Sequence, residues 1–332
     1  MLQKAQVPAE DAEITAKNLL KAELWGVLTH GISRLARYVM RLENGTINPA
    51  PQIKIKSRYP AMLSVDGDNG LGTVVMERAL WAAMERAEQF GVCTVGVYNS
   101  NHFGMAGYYC SLAAEKNMIS IGFTNSLAAM APWGGKQACL GTNPIAFGFP
   151  RVGKVPIVAD MATSIVARGK ILLAAKKEEN IPEGWALDKK GYSTTNAKAA
   201  LEGIVLPMAG PKGYSMALSI DCLSGVLTGA AFADLVGSYS NGKTQAAIGH
   251  LFVVMKSDGF LEAGVYEERI EFFCRKIKSM EKIAGVEEIY LPGEREQLRE
   301  QKLQQQGITL PAAVEKELYD LSCRYEVSLE VK

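Results

Sequence analysis

The stretch Asn99-Ser-Asn-His102-Phe-Gly-Met-Ala-Gly107 separates two apolar segments of different character. The run before it, Val92 to Val97, predicts a buried strand that ends at Tyr98, and the run from Tyr108 to Lys116 predicts a helix. In α/β proteins, ligands bind where small and polar residues follow the ends of strands. A histidine with two asparagines and two glycines at this junction is therefore a candidate for acid–base chemistry. A structural histidine in a loop fits the same pattern.

Other apolar runs predict further strands, over residues 61–65, 119–124, 145–149, 155–159 and 251–255. Three of them are flanked by small or polar residues, which are Asn125-Ser126, Gly141-Thr142-Asn143-Pro144 and Asp160-Met161-Ala162-Thr163-Ser164. Each group suits a ligand, and each is also ordinary loop chemistry when taken alone. We interpret His250, at the start of the last strand, as structural.

Helical spacing of apolar residues predicts helices over residues 8–42 with an interruption at Gly31, and over 73–90, 215–227, 267–280 and most of 295–332. Residues 45–60 are interpreted as a loop with extended pieces, and residues 176–200 as a polar excursion. His30 and Arg34 are four residues apart and would share one face of a continuous helix. A guanidinium beside a histidine suits a carboxylate substrate, although a solvated basic face is the commoner arrangement.

Two glycine-rich segments raise the question of phosphate binding. Asp66-Gly-Asp-Asn-Gly-Leu-Gly72 has the order Gly-x-x-Gly-x-Gly, the reverse of the dinucleotide fingerprint, and no acidic residue follows a second strand at the expected distance. We therefore interpret it as a turn and the start of a helix. Gly210-Pro-Lys-Gly213 predicts the amino end of another helix, where Lys212 suits a phosphate or carboxylate.

The composition limits the class of protein. The 332 residues include 36 Lys and Arg against 35 Asp and Glu, and this balance argues against a dedicated nucleic-acid surface. No apolar run is long enough to cross a bilayer and the first residues contain no apolar signal region, so we expect no membrane association. Six scattered cysteines without a Cys-x-x-Cys pair predict buried free thiols of a cytoplasmic protein. Three widely separated histidines indicate no zinc site, an argument that does not address an ion bound by carboxylates alone.

Taken together, these pieces resemble the malate/L-lactate dehydrogenase-like oxidoreductases, a family that also includes ureidoglycolate dehydrogenase, 2,3-diketogulonate reductase and sulfolactate dehydrogenase. The elements that carry the resemblance follow one another along nearly the whole chain: Thr29-His30-Gly31 with Arg34, Asn101-His102, Gly141-Thr142-Asn143-Pro144, Asp160-Met161-Ala162-Thr163, Gly210-Pro211-Lys212-Gly213 and Leu291-Pro292-Gly293. The segment Ile181–Asp188 is similar to the ureidoglycolate, malate and lactate members.

The resemblance implies an α/β fold that is not a Rossmann fold. A central mixed, largely antiparallel sheet flanked by helices would carry the nicotinamide cofactor. Residues 1–60 and 295–332 would form a separate helical lobe from both termini, and residues 61–294 a cofactor- and substrate-binding core of one or two subdomains. Members of the family are typically homodimers with active sites near the interface, so a homodimer is expected.

The resemblance also implies roles for particular residues. His102 matches the acid/base that exchanges a proton with the substrate, and His30 is the other histidine to which this role is assigned in some members. Arg34 and Tyr38 match substrate-contacting positions, and Asn101 is expected with them. Cofactor-contacting positions are matched by Ser126, Asp160, Met161, Ala162, Pro211, Lys212, Gly293, Glu294 and Arg295. NAD is the expected cofactor, with NADP as the alternative because Arg168 and Lys170 suit a 2′-phosphate.

The implied activity is the interconversion of a small 2-hydroxy acid and a 2-oxo acid by hydride transfer with a histidine acid/base. One alternative is a reductase of a diketo sugar acid or a cyclic imine carboxylate, which shares the hydride step. A catalytically silent, dimeric ligand-binding protein is an alternative of a different class. The presence of both histidines, Arg34 and Lys212 favours an active enzyme.

Overall fold

The structure is a computed structural model that describes residues 1–238 and 242–329. The helices of this part of the chain are α1 (Ala9–Leu24), α2 (Leu35–Glu43), α3 (Gly72–Phe90), α4 (Ala106–Glu115), α5 (Arg168–Lys177), α6 (Ala197–Glu202), α7 (Pro211–Asp221), α8 (Val265–Lys278), α9 (Glu294–Gln306) and α10 (Ala312–Tyr325). The strands are β1 (Lys54–Tyr59), β2 (Met62–Asp66), β3 (Val92–Ser100), β4 (Met118–Thr124), β5 (Ile145–Phe149), β6 (Ile157–Met161), β7 (Ala186–Leu187), β8 (Ile204–Val205) and β9 (Ile248–Lys256). A 3₁₀ turn, Ile32–Arg34, precedes α2.

Seven strands form one mixed sheet in the order β1-β2-β3-β9-β4-β5-β6. Strands β2 and β3 pair in parallel, and the other neighbouring strands pair antiparallel. Strands β7 and β8 form a separate two-stranded ribbon. The expectation of a mixed, largely antiparallel sheet flanked by helices is confirmed, and its strand order differs from that of a Rossmann fold.

The strand directions place several loops at one edge of this sheet. Because β3 and β4 both run antiparallel to β9, the ends of β3 and β4 lie beside the start of β9. Because β5 pairs antiparallel with both β4 and β6, the start of β5 and the end of β6 lie at the same edge of the sheet. We call this the polar edge; the segments that begin there are residues 101–105, 125–144 and 162–167.

The core lies between the sheet and the helices α3 and α4. Alternate residues of β3, such as Val95 and Val97, are fully buried and pack in one cluster with Met76, Ala79 and Leu80 of α3. This follows from the two periods, since one face of a strand meets one stripe of a helix. Each fully buried aliphatic side chain contributes about 1.5–3 kcal/mol to the stability of the fold.

The terminal helices pack against one another. Glu300 of α9 accepts hydrogen bonds of 2.7 Å from Lys21 Nζ and from Trp25 Nε1 at the end of α1. Arg324 of α10 forms an ion pair of 3.1 Å with Glu43 of α2. The division of the chain into a terminal lobe and a core at residues 60 and 295 stays a prediction.

Several local predictions were wrong. Residues 54–59 lie in the segment predicted as a loop with extended pieces, and they form the regular strand β1. Asp160 and Met161 lie inside β6 instead of after it. The helix predicted over 215–227 begins at Pro211, and beyond Asp221 it continues as a π-helical turn. Cys222 and Cys323 are exposed and Cys139 is half-buried, whereas all six thiols were expected to be buried.

No helix within residues 1–238 and 242–329 combines the length and the apolar composition that crossing a membrane requires.

Candidate active site

Two histidines that are far apart in sequence meet at the polar edge. His102 follows β3 by two residues, and His30 lies in the turn between α1 and the 3₁₀ turn. Their rings stack, with 5.3 Å between centroids and 26° between planes. The Tyr38 hydroxyl oxygen lies 2.8 Å from Nδ1 of His102. The structure therefore brings His30, Tyr38 and His102 together, as the resemblance implies.

The glycine-rich segment 66–72 packs against the backbone of the loop that carries His102. A Cβ atom on Gly72 would lie 2.1 Å from the carbonyl oxygen of Asn101, so only glycine allows this approach. The Asn101 side chain donates from Nδ2 to the carbonyl oxygens of Asn69 (3.1 Å) and Gly70 (2.8 Å). Since α3 begins at Gly72, the interpretation of this segment as a turn and helix start is confirmed.

The other end of the Asn101 amide has no partner among residues 1–238 and 242–329. Nδ2 is surrounded by oxygen atoms, which fixes the orientation of the amide. Oδ1 is left buried without a hydrogen bond, in a residue that is only 1% exposed. A buried acceptor without a donor is costly. This oxygen therefore suits a donor on a bound ligand.

A small cleft of about 10 Å³ lies beside these groups, room for about one water. It is lined by Arg34, Arg37, Tyr38, Arg41, Ile47, Asn101 and His102. Three of these side chains carry guanidinium groups and none of them is acidic. Arg41 is almost fully buried and donates to the carbonyl oxygens of Thr46 (3.3 Å) and Thr244 (3.1 Å). The cleft is therefore strongly positive, which favours an anionic ligand.

A larger cleft, of about 710 Å³, runs along α10 and is lined by residues from Ala312 to Leu329. It contains none of the residues that the sequence singled out. The smaller cleft is the candidate active site, because acid–base and anion-binding groups meet there.

The surroundings of the two histidines keep both imidazoles neutral. Burial, together with the charge of Arg34, lowers the pKa of His30 to about 3. Burial and then Arg34 also lower the pKa of His102 well below its ordinary value. Thr29 Oγ1 lies 2.9 Å from Nδ1 of His30, and Arg34 Nε donates to the carbonyl oxygen of Thr29. A guanidinium can hold the carboxylate of a substrate. A neutral imidazole next to that guanidinium can then take a proton from the same substrate.

The third histidine has a different role. His250 is fully buried, with Nδ1 2.7 Å from Thr124 Oγ1 and Nε2 2.9 Å from Ser100 Oγ. Its ring stacks on Phe103 with 4.4 Å between centroids. These contacts confirm the interpretation of His250 as structural. Within the described part of the chain, no three histidine, cysteine or carboxylate side chains gather as a metal site.

The predicted cofactor-contacting residues lie in four places: Ser126 after β4, Asp160 to Ala162 at the end of β6, Pro211 and Lys212 at the start of α7, and Gly293 to Arg295 at the start of α9. Asn143 joins the first place to α7, since it accepts from the Ser126 amide and donates to Ala217, both at 3.0 Å. The amide of Val158 in β6 donates to Pro292 at 3.0 Å, which joins the second place to the start of α9.

Some of these residues fit a nicotinamide nucleotide. Ser126 Oγ is buried and finds no hydrogen-bond partner in the described residues. Lys212 is exposed in the first turn of α7, and no carboxylate of residues 1–238 or 242–329 forms an ion pair with it. A hydroxyl, a free cation and a helix amino end are groups that bind sugar and phosphate oxygens.

Other predicted residues are engaged within the protein. Asp160 Oδ2 accepts the Gly107 amide at 2.7 Å, at the start of α4. Desolvation of its carboxyl group raises the pKa of Asp160 to about 6, although the residue as a whole is exposed at the end of β6. Glu294 accepts from Lys278 Nζ at 2.8 Å. Arg168 donates to the carbonyl oxygen of Leu201 at 3.0 Å, a contact that ties α5 to α6.

Sequence reasoning missed one residue near the histidines. Glu23 is buried at the end of α1 and accepts the backbone N–H of Ile32 at 2.9 Å. The signal was an acidic residue between Ala22 and Leu24 on the apolar side of α1. A charged residue is rarely buried without a specific partner, so this position marked a tertiary contact.

Comparison with known proteins gives consistent matches. A sequence profile described as malate/L-lactate dehydrogenase matches residues 1–319. The L-sulfolactate dehydrogenase of Methanocaldococcus jannaschii is 44% identical over 302 residues, which cover 91% of this chain and 87% of that protein. The solved structure of a sulfolactate dehydrogenase from the same organism superposes with a TM-score of 0.91, at 41% identity, covering 98% of this chain and 94% of that chain.

A malate dehydrogenase of Pyrococcus horikoshii is 38% identical over 98% of this chain and 92% of that protein. The solved structure of a malate dehydrogenase from this organism has a TM-score of 0.90 at 37% identity, over 98% of this chain and 92% of that chain. These superpositions confirm the expected fold.

Two further relatives carry a cofactor in their names. The (2R)-3-sulfolactate dehydrogenase (NADP(+)) of Chromohalobacter salexigens is 39% identical over 79% of this chain and 80% of that protein. The ureidoglycolate dehydrogenase (NAD(+)) of Escherichia coli is 32% identical over 92% of this chain and 88% of that protein. Both nicotinamide cofactors therefore occur among proteins similar to this chain.

Proposed function

The chain belongs to the malate/L-lactate dehydrogenase family, and on that premise we propose that it interconverts a small 2-hydroxy acid and its 2-oxo acid. The family and the enzyme class expected from the sequence are confirmed, since its relatives are dehydrogenases of hydroxy acids. The observation that carries the proposal for this chain is the stacked pair of His30 and His102 beside Arg34.

The proposed mechanism divides the work among the residues of the cleft. Arg34 binds the carboxylate of the substrate, because a guanidinium offers two parallel N–H donors to the two oxygens. The bound nicotinamide supplies the acceptor or donor of the hydride. In the oxidation direction, neutral His102 takes the proton of the substrate hydroxyl, and in reduction the imidazolium returns it to the carbonyl oxygen. His30 is the second candidate for this proton transfer. Asn101 Oδ1 accepts from the substrate.

The charge of the cleft bears on the class of acid. Arg34, Arg37 and Arg41 contribute three positive charges, and the lining has no acidic side chain. The lining therefore favours an anionic substrate. Because similar proteins are named malate and sulfolactate dehydrogenases, whose substrates carry two anionic groups, we place 2-oxo acids with two anionic groups ahead of pyruvate.

We propose NAD as the cofactor, with NADP as the alternative. Ser126 and Lys212 support a nicotinamide nucleotide of either kind through the hydroxyl and the cation described above. A 2′-phosphate needs an additional cation. Of the two candidates for that role, Arg168 already donates to a backbone carbonyl and Lys170 is exposed.

The experiment that tests this function is oxidation of NADH and of NADPH by the purified protein. The panel contains oxaloacetate, sulfopyruvate, pyruvate, oxalurate, 2,3-diketogulonate and a cyclic imine carboxylate. We expect turnover with oxaloacetate or sulfopyruvate, faster with NADH. Turnover only with the diketo sugar acid or the cyclic imine would replace this function by the reductase alternative. NADH binding without any turnover would support the catalytically silent binding protein.

We also propose a homodimer in the cytoplasm. Large apolar side chains of α7 and the segment after it are exposed, namely Met216, Leu218, Val226, Leu227 and Leu235. Exposed apolar surface of this kind is typical of an interface between subunits. The six cysteines are free thiols, as expected in a reducing compartment. Light scattering after size-exclusion chromatography tests the dimer, and a mass of about 36 kDa would contradict it.

A further inference from the structure

The carboxyl group of Glu23 lies against the turn that carries His30. Glu23 is 3% exposed, and its Oε2 accepts the backbone N–H of Ile32 at 2.9 Å. A Cβ atom on Gly31 would lie 2.1 Å from the same oxygen. The carboxylate therefore fills the space that a side chain at position 31 would need. This contact explains why a glycine follows His30.

The turn itself is compact and is held by hydrogen bonds at both of its ends. The His30 amide donates to the carbonyl oxygen of Val27 at 2.8 Å, and the Arg34 amide donates to that of Gly31 at 2.9 Å. The hydrogen bond from Ile32 to Glu23 joins the far end of this turn to helix α1, in addition to the backbone bond from Val27 to Ala22 at 2.8 Å. Loss of the Glu23 bond would loosen that end of the turn relative to α1. His30 and Arg34 would move with it.

The position of α1 is fixed from the other side by α9. Glu300 binds Lys21 and Trp25, one turn or less from Glu23. Arg299 fills the space beside Gly26, where a Cβ atom would lie 2.8 Å from Nε of the arginine. These contacts with α9 therefore hold α1 and Glu23 in position. Burial raises the pKa of the Glu23 carboxyl, whereas the hydrogen bond from Ile32 and the charge of Arg299 lower it. Burying a carboxyl group costs free energy, and an apolar residue would be enough if this position served only to fill space.

We propose that Glu23 is a positioning residue of the reaction, which holds the Thr29–Arg34 turn so that His30 and Arg34 reach the substrate together. The proposal rests on the function proposed above. A displacement of about 1 Å at the reacting groups can cost a hundredfold in rate, so a single hydrogen bond to this turn has a large kinetic effect.

The test compares Glu23→Ala and Glu23→Gln with the control Asp11→Ala. Asp11 lies on the same helix, is 2% exposed and pairs with Arg78. Glu23→Ala should lower kcat/KM for the 2-oxo acid at least about tenfold, with the dissociation constant of NADH unchanged. Glu23→Gln keeps an oxygen that accepts from Ile32, and it should recover most of this loss. Asp11→Ala should lower the melting temperature but keep kcat and KM.

A second readout is independent of turnover. The chain has three histidines, so their ring signals are separable in a long-range proton–nitrogen NMR spectrum. Glu23→Ala should shift the signals of His30 and His102 and leave those of His250 in place. If the wild type turns over nothing on the panel, the proposed function fails, and the spectrum still decides whether Glu23 positions His30.

Three results would overturn the proposal. The first is a folded Glu23→Ala protein with normal kcat/KM and unshifted His30 signals. The second is that Asp11→Ala lowers kcat/KM as much as Glu23→Ala does, when both variants lose the same amount of stability. The third is Glu23→Gln behaving like Glu23→Ala. If Glu23→Ala does not fold, Gly31→Ala displaces the carboxylate from the other side, and unchanged kinetics and His30 signals in that variant would equally refute the proposal.

Discussion

The hydroxyl oxygen of Tyr38 lies 2.8 Å from Nδ1 of His102, and this contact joins helix α2 to the loop after β3. Tyr38 is 5% exposed, so the packing of α2 holds the hydroxyl in place. A hydroxyl both donates and accepts hydrogen bonds, so it stays bonded to Nδ1 in either protonation state of the ring. In the proposed mechanism, Nδ1–H donates to the Tyr38 oxygen and Nε2 exchanges the proton with the substrate.

Replacement of Tyr38 by phenylalanine should therefore lower kcat without weakening NADH binding. The loss of one hydrogen bond corresponds to about 0.5–1.5 kcal/mol, or a decrease in kcat of about two- to tenfold. Steady-state kinetics and NADH fluorescence measure the two quantities. The control is Tyr108→Phe, another buried tyrosine, whose hydroxyl donates to Glu77 at 3.1 Å. Equal loss of kcat in both variants would contradict the proposed role of Tyr38.

Replacement of each histidine by alanine separates their roles. His102→Ala should lower kcat by about a hundredfold or more, because the oxygen of the substrate loses its proton partner. NADH should still bind, as measured by its fluorescence. His30→Ala is the matched comparison, since its ring stacks on His102. Near-full activity of His102→Ala would rule out the assignment and transfer the acid/base role to His30.

Binding of an acid should cause proton uptake. Burial and Arg34 lower the pKa of His30 to about 3 in the free protein. A substrate carboxylate bound to Arg34 offsets that positive charge, and a nearby anion raises the pKa of an imidazole by about 1–3 units. The imidazole therefore gains protons on binding, most clearly near pH 5 and hardly at pH 7. Calorimetry of oxamate binding to the NADH complex in two buffers of different ionisation enthalpy measures this uptake. Equal heats in both buffers near pH 5 would contradict the coupling.

The sheet was predictable at its centre, where burial is greatest. Strands β3, β4 and β9 are central and contain apolar runs, with alternate residues of β3 and β4 and most residues of β9 buried. Strand β1 was not predictable from its composition, because all six of its residues, KIKSRY, are exposed at the edge of the sheet. Its position is determined by its pairing with β2, a long-range contact that no local period encodes.

The site was predictable only in part, for a similar reason. His30, His102 and Arg34 were found through their motifs, and the fold then brings them together. Glu23 carries no motif of its own, and the glycine-rich segment that ends at Gly72 predicts only a turn and a helix start. The close contacts of these two residues cross the fold and depend on how α1 and α3 pack.

Replacement of Gly72 by alanine tests the support of the His102 loop. The added Cβ would lie 2.1 Å from a backbone oxygen, which cannot move aside as the end of a flexible side chain can. We expect a loss of about 1–3 kcal/mol in the free energy of unfolding, and a lower kcat because His102 moves with Asn101. Urea unfolding and steady-state kinetics measure both. Gly259→Ala is the control, since its nearest contact would be 3.3 Å, from Lys256. Wild-type stability and kcat in Gly72→Ala would contradict this support.

The stability of the protein should fall in acid because of His250. Burial lowers its pKa to about 3, whereas an unfolded histidine titrates near 6.5. Between these values the unfolded chain binds more protons than the folded one, so the free energy of unfolding decreases as the pH falls below about 6.5. This single group accounts for about 2 kcal/mol between about pH 7.5 and pH 5.

His250→Gln removes that titration while keeping a polar side chain between Thr124 and Ser100. The variant should be less stable at about pH 7.5, because two buried hydroxyls lose their ring partner. Its further loss of stability down to about pH 5 should be smaller than that of the wild type by about 2 kcal/mol. Urea unfolding at both pH values, followed by tryptophan fluorescence, measures the two losses. An equal acid-induced loss in both proteins would show that His250 is not the group responsible.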